Sequence, residues 1–127
     1  LLARLQIPAE AFVLEDGSGL SRSNLVTAHG MAMLLVAMDR HPAAAVFRDA
    51  LPVAGTDGTL RGRMKGTAAE GRVLAKTGTL RSTSTLAGYV TTRRGARLAF
   101  AFLINNARSS LEANAALDAL AVALASQ

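Results

Sequence analysis

Three extended stretches, Arg72 to Thr79, Thr83 to Thr92 and Ala96 to Asn105, follow one another with only short turns between them. Parallel neighbours would need a crossover of a dozen or more residues, and there is no room for one, so the three are expected to pair antiparallel. Arg93-Arg94-Gly95 reads as a hairpin turn in which glycine is free to take a positive φ. From Ser110, with Glu112 in its first turn, a helix is predicted to about Ala125, with Leu111, Ala115, Leu117, Leu120 and Leu124 as its apolar side. Upstream, Thr27 is a suitable N-cap for a helix to about Arg40, whose Met31, Leu34, Leu35 and Met38 recur at helical spacing. Pro42 opens a second short helix through Ala50. Helices, then an unbroken antiparallel triplet, then a helix argue an α+β fold rather than alternating βαβ units.

The rest of the chain is shorter in its signals. Leu1 to Leu5 reads as a helix tail stopped near Pro8, Ala11 to Leu14 as a short strand, and Glu15 to Gly19 as a turn. Pro52 to Gly58 reads as a turn-rich loop, followed by a helical piece around Leu60 to Met64. No internal repeat, low-complexity tract or linker divides the chain, so residues 1–127 are taken as one unit. The opening Leu1-Leu2-Ala3-Arg4 has no initiator Met and is too short for a signal peptide, so the start is read as cut from a longer protein. No apolar run approaches the roughly 20 residues that span a bilayer.

Charge narrows the partners only a little. A formal charge of +5 favours anionic partners such as nucleic acid, anionic lipid or a polymer bearing carboxylates. Nucleic acid ranks last, because the arginines are dispersed and the aromatic set, Tyr89 and four Phe, is poor material for stacking bases. The absence of Cys removes disulfides, thiol nucleophiles and thiolate metal sites.

The residues with the most chemistry are Lys76-Thr77-Gly78-Thr79. In a strand, Thr77 and Thr79 share a face, and two hydroxyls about 7 Å apart beside a buried or half-buried ammonium can hold a carboxylate. Gly78 removes a side chain, so that an extended peptide can lie along the strand edge and pair with it. The Thr79 amide is available to an oxyanion. The plainer alternative is an ordinary strand lysine beside a Thr-Gly turn, since three common residues make a weak motif.

Other motifs fail on inspection. A P-loop aligned on Lys76-Thr77 needs glycines where Glu70 and Ala75 stand. His29 and His41 lack metal-ligand companions and read as residues of a first helical turn and of a helix C-terminus. No Gly-x-Ser-x-Gly elbow occurs. Met31, Met33 and Met38 read as core packing. Ser82, Thr83, Ser84 and Thr85 read as decoration of the strand after Gly78. Asp16 to Asn24 reads chiefly as a structural turn, with a loop bordering an active site as the alternative, and Asp57-Gly58 as a turn with Arg63 as a candidate ion-pair partner.

Three stretches together resemble one family. They are Asp16-Gly17-Ser18-Gly19-Leu20-Ser21-Arg22-Ser23-Asn24-Leu25, then Leu51-Pro52-Val53-Ala54-Gly55-Thr56-Asp57-Gly58-Thr59-Leu60 with Arg63, then Ala75-Lys76-Thr77-Gly78-Thr79-Leu80 with Leu86-Ala87-Gly88-Tyr89-Val90. In order and interval they resemble the C-terminal part of the class C low-molecular-mass penicillin-binding proteins, the DacB-like D-Ala-D-Ala carboxypeptidases and endopeptidases. The resemblance implies a transpeptidase-like fold, with the sheet covered by the last helix and the earlier helices on its other face. It implies a serine acyl-enzyme mechanism without a cofactor or metal, acting outside the cytoplasmic membrane on peptidoglycan stem peptides and acylated by β-lactams. Lys76 would hold the serine of SxN and help bind the substrate carboxylate, Thr77 and Thr79 would bind that carboxylate, Gly78 would admit the peptide, and the Thr79 amide would serve the oxyanion.

The chain departs from that family's full motif set. Three residues before Lys65 and Lys76 stand Gly62 and Val73, so there is no SxxK. Two residues before Asn24, Asn105, Asn106 and Asn114 stand Arg22, Leu103, Ile104 and Glu112, so there is no SxN. The nucleophile and its base are expected upstream of Leu1, the chain alone is expected to be inactive, and its partner is the missing N-terminal part. That part also supplies strands to the family's sheet, so unpaired backbone, exposed apolar surface and weak independent stability are expected. The rival readings are a β-lactamase or esterase of the same fold and a peptidoglycan-binding module without a nucleophile.

Overall fold

The computed structural model describes residues 2–127. A two-stranded ribbon, β1 (Phe12–Val13) with β2 (Leu25–Val26), precedes helices α1 (Ala28–Asp39) and α2 (Ala44–Asp49). Then come β3 (Val73–Leu80), β4 (Thr83–Thr91), β5 (Arg97–Asn105) and the closing helix α3 (Ser110–Ala125). The three long strands pair antiparallel in the order β3-β4-β5, without a bulge in either register. The α+β layout matches the expectation, and α1 starts where Thr27 accepts the Gly30 amide at 3.0 Å.

The two faces of the sheet are covered by different helices. Val73, Ala75, Leu86, Val90 and Phe100 are buried in one cluster with Leu117, Ala121 and Ala125 of α3. Fully burying a side chain such as Leu86 or Leu117 contributes about 1.5–3 kcal/mol. On the opposite face Tyr89, 2% exposed, donates its hydroxyl to the Leu35 carbonyl of α1 at 2.7 Å. The Phe47 ring of α2 meets Tyr89 edge-on at 6.4 Å. Gly88 lies on the α3 side, where any Cβ would run into the Leu74 carbonyl and lie 2.6 Å from the Ala75 Cα. The bare glycine is therefore what allows β3 and β4 to pair this closely.

Ion pairs tie the layers together. Asp39 accepts from Arg48 of α2 at 2.6 Å and from Arg97 of β5 at 3.1 Å. Arg63 grips Asp118 of α3, with Nε at 3.0 Å and Nη2 at 2.8 Å from the same carboxylate oxygen.

Several local expectations are corrected. The buried side of α3 is Ala113, Leu117, Ala121 and Ala125, whereas Leu111 is 81% and Leu120 49% exposed. Small alanines at i, i+4 let the helix lie close to the sheet, and the large leucines beside them are left outside. Helix character ends at Leu60, in a 3-10 turn from Gly58, and Met64 takes a φ of 57°, which a continuing helix forbids. Leu2–Leu5 forms a 3-10 turn, and Leu1 lies outside the described residues. The strand Leu25–Val26 was not predicted, because two residues ahead of a cap carry no period. Arg63 pairs with Asp118 rather than Asp57, whose carboxylate accepts the Val53 amide at 2.7 Å. Ser84 is fully buried on the α3 face, and its hydroxyl has no partner among the described residues.

Candidate functional site at the open edge of β3

β3 is an edge strand, and its two halves differ. Along the first half, Ala54 donates to the Val73 carbonyl and Ala75 donates to the Pro52 carbonyl, both at 2.9 Å. Val53 bridges to Leu74, so residues 52–54 cover this stretch. Beyond Ala75 no strand pairs with the outer edge among the described residues. Ala75 sends its amide outward, and hydrogen-bonding direction alternates along an unbulged strand. Thr77 and Thr79 therefore also direct N–H and C=O to the open edge, while Lys76, Gly78 and Leu80 bond to β4.

All four singled-out residues come together here. Thr77 and Thr79 share the α3-side face with Val73 and Ala75. Lys76 starts from the opposite face, and its Nζ turns to the open edge to donate to the Thr77 carbonyl at 2.7 Å. Lys76 is exposed rather than half-buried. At Gly78 a Cβ would press on the Thr85 hydroxyl of β4. The missing side chain thus makes room within the sheet, on the face opposite the two threonines.

The Asp16–Asn24 turn packs against the tip of the β3–β4 hairpin. Ser18 donates to Asp16 from its hydroxyl at 2.8 Å and from its amide at 3.0 Å. These bonds, the hydroxyl first and then the amide, hold the Asp16 carboxyl below its ordinary 3.8 against desolvation, and a bond from Asn24 adds a lesser push in the same direction. Asn24 accepts the Glu15 amide at 2.7 Å and donates to the Asp16 carbonyl at 3.0 Å. Arg22 reaches across to the Arg81 carbonyl at 3.1 Å. The turn is therefore built by its own polar side chains, and it also forms one wall of a cavity of about 290 Å³. Ser21, Asn24, Gly78, Leu80, Thr85 and Leu103 line that cavity.

Two residues beside Thr77 and Gly78 were not assigned to this site from the sequence. Thr59 lies 3.0 Å, hydroxyl to hydroxyl, from Thr77. Thr85 faces Gly78 across the strand pair. Strand alternation combined with a register could have given Thr85, whereas nothing local in the sequence marks Thr59. His29 and His41 join no group of three metal-ligating side chains among the described residues.

Known proteins resemble this chain in sequence and in fold. The model of the D-Ala-D-Ala carboxypeptidase 3 (S13) family matches residues 1–127. A D-alanyl-D-alanine carboxypeptidase of Actinomadura sp. (strain R39) is 47% identical over 129 residues, which is 98% of this chain and 24% of that protein. The D-alanyl-D-alanine carboxypeptidase DacB of Haemophilus influenzae is 39% identical over 95 residues, 73% of this chain and 20% of that protein. The crystal structure of penicillin binding protein 4 (dacB) from Haemophilus influenzae superposes with a TM-score of 0.78 at 35% identity, covering 86% of this chain and 24% of that one. The chain thus spans about a quarter of the length of these relatives or less. Sequence match and sheet geometry agree, and the chain belongs to the D-Ala-D-Ala carboxypeptidase 3 (S13) family.

Proposed function

We propose that this chain is the substrate-carboxylate-binding part of a serine-type D-Ala-D-Ala carboxypeptidase that trims peptidoglycan stem peptides outside the cytoplasmic membrane. The observation that carries the reading is the open half of β3, where two outward-facing backbone units, two hydroxyls and one ammonium lie along a single edge. An extended peptide pairs with such an edge through its backbone. The terminal carboxylate of the substrate accepts hydrogen bonds from Thr77 Oγ1 and Thr79 Oγ1, with the Lys76 charge beside them. The amide of Thr79 faces the position of the scissile carbonyl oxygen and stabilises the negative charge that develops there.

The nucleophile belongs to the part of the protein before this chain. Its serine oxygen forms an ester with the penultimate D-Ala carbonyl, the C–N bond breaks, and the leaving D-Ala amine takes a proton. Water then hydrolyses the ester. This chain alone carries neither SxxK nor SxN, so it is expected to form no acyl adduct.

The test uses the full-length protein. It is incubated with a labelled penicillin and, separately, with an acyl-D-Ala-D-Ala peptide, and the covalent label and free D-Ala are measured. The expected result is both label and D-Ala release in the parent, with loss of both in Lys76→Ala. Rapid loss of the label as penicilloate would favour a β-lactamase instead. Unchanged activity in Lys76→Ala, or a stable adduct on the isolated chain, would overturn the reading.

A further inference from the structure

Thr59 is carried to Thr77 by a segment fixed at both ends. Residues 52–54 are hydrogen-bonded along the first half of β3. The Asp57 carboxylate accepts the Val53 amide at 2.7 Å, Gly55 donates to the Leu60 carbonyl at 3.0 Å, and Leu60 donates to the Asp57 carbonyl at 3.2 Å. Leu60 is fully buried in the core. Thr59 stands between these two anchors with an exposed side chain, and its hydroxyl lies 3.0 Å from that of Thr77. A threonine side chain chooses among staggered rotamers, and a hydrogen bond to a fixed neighbour selects one of them. A hydroxyl has one proton and two lone pairs. In the structure Thr77 donates to Thr59; when an anionic ligand takes the Thr77 proton, the contact reverses, with Thr59 donating and Thr77 accepting.

We propose that Thr59 is a positioning residue, whose hydroxyl holds the Thr77 side chain in the rotamer that binds the substrate carboxylate. The inference rests on the reading of Thr77 given above. Thr59 touches Thr77 and not the substrate, so its effect falls on binding. Loss of an interaction that holds ground state and transition state equally raises KM and leaves kcat in place.

The experiment compares Thr59→Val, Thr59→Ser, Thr77→Val and the Thr59→Val/Thr77→Val pair in the full-length protein, with an acyl-D-Ala-D-Ala peptide as substrate and a thermal melt as control. Valine keeps the shape of threonine and loses the hydroxyl, whereas serine keeps the hydroxyl and loses the methyl. Thr59→Val is expected to raise KM roughly three- to tenfold, the range of one hydrogen bond, with kcat within about twofold. Thr59→Ser is expected to match the parent, and the double variant to be no worse than Thr77→Val, because both residues act through one contact. Equal loss in Thr59→Val and Thr59→Ser, or a fall in kcat and melting temperature together, would assign Thr59 a structural part and overturn the proposal. An unaffected Thr59→Val beside an impaired Thr77→Val would overturn it while leaving the reading of Thr77 intact. An unaffected Thr77→Val would remove that reading, and this proposal with it.

Discussion

The Tyr89 hydroxyl donates to the Leu35 carbonyl at 2.7 Å, joining the middle strand of the sheet to the middle of α1. Tyr89→Phe keeps the ring against Phe47 and removes only this bond. The expected cost is about 1 kcal/mol, measured as a lower melting temperature. Tyr89→Ala, which also empties the space under α1 and α2, is expected to cost about 3–5 kcal/mol. A Phe variant that melts with the parent would show that the bond contributes nothing net.

The same phenol gives the fold an alkaline limit. Burial pushes the Tyr89 hydroxyl above its ordinary 10.0, Asp39 adds to the rise, and Arg48 and Arg97 oppose it. The folded state therefore holds this proton more tightly than the unfolded chain. Its contribution is complete below the ordinary value and is lost as pH rises through the folded one. Denaturation midpoints taken from about pH 9 to about pH 12 are expected to fall in the parent and to fall less steeply in Tyr89→Phe.

Arg63 and Asp118 are about a fifth exposed, at 18% and 22%, and the guanidinium meets the carboxylate through two nitrogens. A double-mutant cycle with Arg63→Ala and Asp118→Ala is expected to return a coupling of about 0.5–3 kcal/mol. Arg63→Lys is expected to recover less than half of it, because an ammonium lacks the planar fork. A coupling near zero would place this pair with ordinary surface bridges.

Gly78 offers a test by rescue. Gly78→Ala should drive a methyl onto the Thr85 hydroxyl and displace the end of β3. Penicillin acylation of the full-length protein is expected to slow on the order of tenfold to a hundredfold, the effect of an ångström-scale displacement. Thr85→Ala alone should acylate like the parent, and Gly78→Ala/Thr85→Ala should recover most of the rate. Failure of the rescue would show that the bare position serves the ligand rather than the sheet.

How much of this was legible in the sequence depended on whether the signal was local. The three long strands, the Thr27 cap and the C-terminal helix announced themselves through period, turn residues and caps, and lie within one or two residues of their expected ends. The face of α3 was legible at Leu117, but not at Ala121 and Ala125, which are buried with it against the sheet while Leu111 and Leu120 lie outside, because leucines outweigh alanines in any apolar count. Lys76, Thr77, Gly78 and Thr79 were legible as a group, since four adjacent residues need only a strand to order them. Thr59 and Asp118 were not, because their partners Thr77 and Arg63 are brought to them by tertiary folding.

The alternation along β3 constrains how this strand can change. Inserting or deleting a single residue between Ala75 and Thr79 would aim the amide of Thr79 into the sheet and present its neighbour to the solvent instead. Changes of length in this segment are tolerable only in twos. A ruler with a two-residue tick is thus built into the strand, and engineering of its specificity has to keep count.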